Sequence, residues 1–354
     1  MKPWRKSLAP ATLTIQASAR ARTSTMGKKT TPKQTTPRAS SSAASRQKTS
    51  AQEPRKPDFH EGTSRVWVGD CREILASLPE VRNHEVDLVF ADPPFNWNRA
   101  YDQWDDRLPR EEYLAFTRTW LDLCVTALRP GGAMWVNIPD DTAAEIVVHL
   151  KSVGMEMENW CVWHYRFGQN TTARFINSKV HALYFCKPEG ESKNQKRTFN
   201  AEQVLEASDR ASTYFDPRTL SKADGMPPGQ RVPMDVWYGP YWGRIQGNNK
   251  ERRGYHDNQL PEVYLERVIL ATSNKGDLVL DPFLGSGTTG VVAHALKRRF
   301  IGTEFSRENA TLAFNRITKV GPIRLGVMHG ASTAIHAPRR PVPKTFPATM
   351  SEVD

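Results

Sequence analysis

Residues 277–304 read DLVLDPFLGSGTTGVVAHALKRRFIGTE. An apolar run ends on Asp281, a turn follows over Pro282–Gly287, and a helical pattern starts near Thr288. A second apolar run, 299–304, closes on the acid Glu304. The order is strand, glycine turn, helix and strand, a βαβ pattern. Gly285 and Gly287 let the backbone approach a ligand closely, and the helix start offers unpaired N–H groups. Ser286 and Thr288 stand in the same turn. Glu304 lies 17 residues beyond Gly287, at a strand end where a carboxylate accepts both ribose hydroxyls of an adenosine. Such a charge-assisted bond is worth about 1.5–3 kcal/mol. The turn alone does not choose its nucleotide, because Gly290 also completes the G-x-G-x-x-G spacing of a dehydrogenase.

The pattern extends outward from this unit. Helices are expected at 261–274 and 306–318 on either side of it. Upstream, 65–70 reads as a strand, 71–81 as a helix, and VDLVFAD (86–92) as a continuous apolar strand of the kind buried in a parallel sheet. Residues 110–132 carry helical spacing stopped by Pro130-Gly131-Gly132, AMWVNIP (133–139) is a strand, and 142–154 is a helix ending in Gly. ENWCVWHYRF and SKVHALYFCK predict two further, antiparallel strands. Alternation of strand and helix predicts an α/β, Rossmann-like sheet. From 188 to 255 the pattern lapses into polar, basic, Gly/Pro-rich sequence, too long for a passive connection. It is expected to be an insertion with its own role inside a domain spanning 59–325. Residues 326–354 are expected to be a loose C-terminal tail.

Charge is divided unevenly. Residues 1–57 hold 13 Lys and Arg against one acid, Glu53, a net of +12 that exceeds the +11 of the whole chain. The body is therefore close to neutral, and basic character does not mark it as nucleic-acid binding. Residues 1–58 are Ser/Thr-rich and poor in bulky apolar side chains, so they are expected to be disordered. They read as a basic arm contacting phosphates, as a solvated extension, as sequence upstream of a true start at Met26, or as a transit peptide. No run approaches the length of a membrane span, and no secretory apolar region is present. Cys71, Cys124, Cys161 and Cys186 form no C-x-x-C pair, so a reducing, cytoplasmic setting with four buried thiols is expected and no zinc cluster. His164, His181 and His256 have no metal-like spacing, and no metal site is expected.

VFADPPFNWNRAYDQWDD, residues 89–106, ends its strand on Asp92-Pro93-Pro94-Phe95. The two prolines stiffen the loop and offer no N–H. D-P-P-[YF] after an apolar strand, together with D-P-F-x-G-S-G-T-T at 281–289, resembles the amino-group DNA methyltransferases that use S-adenosylmethionine. The catalytic loop precedes the cofactor turn, an order similar to the circularly permuted β class. The resemblance covers about 64–318, including VGDCREILASLP, YDQWDD and HDNQLPEVYLERVI. It implies that Asp92 and the Pro93 carbonyl accept the two hydrogens of an exocyclic amine. Phe95 then stacks on the base, a contact worth about 1–3 kcal/mol, and the base is flipped out of double-stranded DNA. It also implies cofactor contacts from Asp70, Asp281 and Phe283. Locally, a helix cap is the alternative reading of Asp70. The family's H-P-T-Q-K-P is matched in HDNQLP at Gln259 and Pro261 but loses its lysine. Gln259 is read as a hydrogen-bonding partner of the methionine carboxylate or as a cap. Trp97, Tyr101 and Trp104 are read mostly as packing.

The expected insertion at 188–255 contains Arg231, Trp237, Tyr241, Trp242, Arg244, Lys250, Arg252 and Arg253. Arginine with aromatic residues suits phosphate contact, groove insertion and stacking, so it is read as the target-recognition region, against a solvated loop. D-P-P-[YF] resembles adenine-specific enzymes more than cytosine-specific ones. The expected activity is methyl transfer to adenine N6, with cytosine N4, an RNA or protein amide, or a DNA-binding module without turnover as alternatives. A homodimer and a cognate restriction endonuclease are partners implied by the resemblance alone.

Overall fold

In a computed structural model, residues 55–99, 104–165, 168, 170–212, 227–239, 242–243, 245, 247, 249–255 and 258–326 are described. The expectations for 1–54, Tyr101, Tyr241, Arg244, His256 and 327–354 lie outside these residues. The elements run β1 (Phe59–Glu61), β2 (Ser64–Val68), α1 (Cys71–Ser77), α2 (Pro79–Arg82), β3 (Val86–Ala91), α3 (Arg110–Ala127), β4 (Leu128–Ile138), α4 (Asp140–Ser152), β5 (Glu156–His164) and β6 (Lys179–Cys186). They continue with β7 (Glu206–Ala207), α5 (Asp209–Ser212), β8 (Gln230–Arg231), β9 (Val236–Trp237), α6 (Glu262–Thr272), β10 (Leu278–Asp281), α7 (Thr288–Ala295), β11 (Arg299–Glu304) and α8 (Arg307–Asn315), then a π-helical turn, Arg316–Val320.

Nine strands form one sheet in the order β1-β2-β11-β10-β3-β4-β6-β5-β9. From β2 to β4 neighbours are parallel, and β6 is antiparallel to both β4 and β5. Helices α1 to α4 pack one face around Trp120, Leu121, Leu75 and Ile146. Helices α6 to α8 cover the other through Val263, Val268, Val292 and Ala313. The chain thus leaves β3 toward one face and β10 toward the other, although these strands are neighbours with Leu280 opposite Val89. A crevice forms where two such connections diverge, and ligands of open α/β sheets bind there.

Four local expectations change. The 71–81 helix breaks at Leu78, because Pro79 begins a second helix and has no N–H to continue the first. Strand β4 starts at Leu128, not Ala133. Leu128 pairs with Val86, and a register shift before Leu88 absorbs the Pro-Gly-Gly residues as an irregular strand segment. Residues 59–61 add an antiparallel edge strand, and Val236–Trp237 from the insertion add another. The 188–255 segment is anchored by Asn200, whose Nδ2 donates to the carbonyls of Leu270 and Ser273, both at 3.0 Å, at the end of α6.

Candidate active site

The expected loops meet. One cavity is lined by Asp92, Pro93, Pro94 and Phe95 from the end of β3, and by Asp281, Phe283, Gly285, Ser286 and Thr288 from the end of β10. Asp70, Gln259 and Glu304 also line it. This follows from register, since adjacent parallel strands lie about 4.8 Å apart and deliver their following residues to one edge.

The glycine turn is held by backbone bonds and by side chains, with the Tyr255 hydroxyl (3.0 Å) and the Arg316 guanidinium (3.1 Å) donating to the Ser286 carbonyl. Gly285 (φ +50°) and Gly287 (φ +80°) adopt left-handed conformations. Leu284 N–H donates to the Thr303 carbonyl at 2.9 Å, and Gly287 N–H to that of Leu284 at 2.8 Å. A Cβ on Gly287 would lie 3.0 Å from Ala313 Cβ, so helix α8 also requires glycine there. Glu304 Oε2 accepts from Gly285 N–H at 2.9 Å and Oε1 from Ser306 N–H at 3.1 Å. A carboxylate has further lone pairs for ribose hydroxyls. Burial raises the Glu304 pKa, against the N–H groups of Ser306, Gly285 and Phe305. Asp281 is buried and accepts from Phe283 N–H at 2.9 Å. Burial and the Glu304 charge push its carboxyl up to about 7, against hydrogen bonds from Thr289 and Phe283.

The Asp92–Phe95 loop is held differently. The buried Asp106 carboxylate accepts the N–H groups of Asn96 (2.8 Å), Trp97 (2.9 Å) and Arg99 (2.9 Å). Asn96 exchanges two 2.8 Å bonds with the Leu108 backbone. Tyr113 donates its hydroxyl to the Pro94 carbonyl at 2.8 Å. Phe95 meets Trp97 edge-on, with ring centroids 5.4 Å apart. Trp97 donates Nε1–H to Asp141 at 2.9 Å, and Trp104 tilts against Phe116. Sequence reading missed Asp106 and Tyr113 as loop supports. It also missed Asn137 and Tyr264. Asn137 follows Val136, the partner of Ala91, so it stands beside Asp92 on the next strand. Its Oδ1 accepts the Tyr264 hydroxyl, whose pKa is raised by burial and by the Asp92 charge. The only sequence signal was a polar residue inside the apolar strand AMWVNIP.

Asp70 is both a helix cap, accepting from Arg72 N–H at 2.8 Å at the start of α1, and part of the cavity wall. Burial pushes its carboxyl up, but the Arg72 hydrogen bonds and charge outweigh this and leave it below its ordinary value. Phe283 is wedged edge-on against Trp120, with centroids 5.1 Å apart. Gln259 is buried at the wall, with Oε1 accepting from Arg253 N–H (2.9 Å) and Nε2 donating to the Glu251 carbonyl (2.6 Å). It therefore braces the basic 249–253 segment and does not cap α6, whose N-cap is Pro261. Arg231 pairs with Glu206 at 3.2 Å across β8 and β7. Lys250 and Arg252 are exposed and Arg253 is half-buried. Trp237 and Trp242 do not project toward a groove. Both are buried around Tyr264, where the Arg267 guanidinium lies 4.4 Å from the Trp242 ring centre. Stacking inside the core wins over exposure to a ligand.

A family model described as DNA methylase, for N6 and N4 methyltransferases, matches residues 86–315. The chain belongs to this DNA methylase family. The methylase is 31% identical over 248 residues to the Type II methyltransferase M.HpaI of Haemophilus parainfluenzae, covering 70% of this chain and 73% of that one. The solved PvuII DNA methyltransferase, cytosine-N4-specific, superposes with a TM-score of 0.55 at 18% identity over 79% of this chain and 95% of that one. The solved M1.HpyAVI–SAM complex gives a TM-score of 0.49 at 21% identity over 72% and 98%. The four cysteines are free and buried. Among the described residues, no cluster of His, Cys, Asp or Glu could hold a metal ion, and no helix is long and apolar enough to cross a membrane.

Proposed function

We propose that this DNA methylase transfers a methyl group from S-adenosyl-L-methionine to the exocyclic N6 of an adenine flipped out of double-stranded DNA. The observation that carries the reading is the convergence of the Asp92–Phe95 loop with Gly285, Ser286 and Thr288 of the glycine turn on one cavity, which Gly287 itself does not line. The residues present fit the cofactor: the Glu304 carboxylate suits the ribose, Asp70 the adenine amine, and the left-handed glycines admit close backbone approach. Bound there, it supplies a methyl carbon made electrophilic by its sulfonium.

The chain's own residues prepare the amine. Its nitrogen lone pair is delocalised into the ring, which makes it a poor nucleophile. Asp92 accepts one amine hydrogen and the Pro93 carbonyl the other, favouring tetrahedral nitrogen and a localised lone pair. Asp92 then holds the proton that leaves. Phe95 stacks on the base, and the fixed loop places the amine for in-line attack. Asp281, Phe283, Ser286 and Thr288 form the cofactor side of the crevice.

Arg231, Arg244, Lys250, Arg252 and Arg253 of the 188–255 insertion contact DNA in this reading. D-P-P-F at 92–95 favours adenine. Relatives that are Type II methyltransferases support a cognate endonuclease as partner. Expression in a host without base methylation, followed by nucleoside mass spectrometry and modification-sensitive sequencing, tests the assignment. N6-methyladenine at one short motif, lost with Asp92→Ala, is expected. N4-methylcytosine would move the target to the other base, and DNA binding with no methylated base would leave only a binding module.

A further inference from the structure

Strand β5 is parallel to β3 and β4, since β6 is antiparallel to both β4 and β5. The β5–β6 connection, 165–178, therefore leaves the sheet at the edge that carries Asp92 and the glycine turn. Its roots are part of the site, because Trp163 of β5 and Val180 of β6 line the cavity. Tyr165 N–H donates to the Ser178 carbonyl at 2.8 Å, carrying the ladder past the strand ends. Further out the loop folds on itself. Ala173 N–H donates to Thr171 Oγ1 at 3.2 Å, and a Cβ on Gly168 would meet Ile176 Cγ2. The tip so formed presents Phe175 at 97% exposure and Ile176 at 45%, with Arg174 exposed beside them. Arg99, also exposed, belongs to the cavity wall.

A planar apolar ring bared to water has no packing role in the fold. Arg174 beside it, and Arg99 on the wall of a pocket that in the proposed reading takes a nucleobase, put cations and an apolar ring at one edge of the sheet, which matches a polyanion with an apolar interior. Extruding a base leaves a gap in the stack, and an inserted apolar side chain fills such gaps. We propose that Phe175 is the wedge that enters the duplex where the target base leaves it, with Arg174 and Arg99 against the flanking phosphates. This rests on the reading of the protein as a DNA methyltransferase, and assigns DNA contact to a loop outside 188–255.

The test uses the full chain and a duplex with 2-aminopurine at the position found methylated. Wild type is expected to raise its fluorescence on binding. Phe175→Ala loses most of that rise and increases KM for DNA about tenfold, with affinity for S-adenosylmethionine unchanged. Phe175→Trp retains function, and a mismatch opposite the target base restores the alanine variant, because the pair is already weakened. An unchanged fluorescence rise and KM in Phe175→Ala would overturn the wedge while methylation stands. So would a failure of the mismatch to rescue, or a change in oligomeric state that marks the tip as a protein interface. No methyl transfer by wild type to any duplex would remove the underlying reading as well.

Discussion

Two loops leave neighbouring parallel strands and line the same cavity, and they are held by different mixtures of backbone and side-chain bonds. The turn after β10 combines left-handed glycines and N–H bonds inside one βαβ unit with side chains that bind its backbone: Glu304 at Gly285 N–H, and Tyr255 and Arg316 at the Ser286 carbonyl. The loop after β3 is fixed by side chains from elsewhere: Asp106, which gathers three N–H groups, and Tyr113 from helix α3. Each of these side-chain contacts is a separable hydrogen bond.

The sharpest way to separate the loops is Asp92→Ala. It removes the proposed amine acceptor and is expected to lower the methyl-transfer rate on the order of 10³-fold, with S-adenosylmethionine affinity unchanged by calorimetric titration. Asp106→Ala leaves three backbone donors without their acceptor and is expected to lower kcat/KM for DNA about 10- to 100-fold. Its cofactor affinity also stays at the wild-type value. On the other loop, Gly287→Ala puts a Cβ against Ala313 in a left-handed conformation. A cost of about 2 kcal/mol and a fall in Tm of about 4–8 °C are expected in thermal melts. Weakened cofactor binding accompanies it.

Asp281 gives a pH-dependent version of the contrast. Its carboxyl is raised from 3.8 to about 7 in the folded protein. Between those values the folded state binds the extra proton, so its contribution to stability is present in acid and declines as pH rises toward 7. Asp281→Asn should therefore gain Tm relative to wild type between pH 5 and pH 8, measured without cofactor. A constant difference would show that Asp281 is not buried as described. Tyr113→Phe is the smallest change, one neutral hydrogen bond, expected to reduce kcat about fivefold.

This contrast also explains what could be read from the sequence. The glycine turn was legible because its determinants are contiguous: Asp281, Gly285, Gly287 and Glu304 fall in one βαβ unit of fixed spacing. Asp92 to Phe95 stood out through composition. Their supports did not, because Asp106 and Tyr113 act through contacts that only the fold creates. Gln259 shows the same limit, since its sequence neighbours did not reveal that its amide is turned to the 251–253 backbone. Trp237 and Trp242 read as ligand-facing aromatics, but their companions Tyr264 and Arg267 come from a helix outside the insertion. Strand β9 was unreadable for the same reason, because two residues carry no periodicity and exist as a strand only by pairing with β5.

Photolabelling with methyl-tritiated S-adenosylmethionine, followed by peptide mapping, tests directly whether both loops serve one cofactor. The label is expected on the peptides carrying 92–97 and 281–288, with labelling of both lost when unlabelled cofactor competes. Label confined to the 188–255 segment, or to one loop with the other untouched, would contradict the shared cavity.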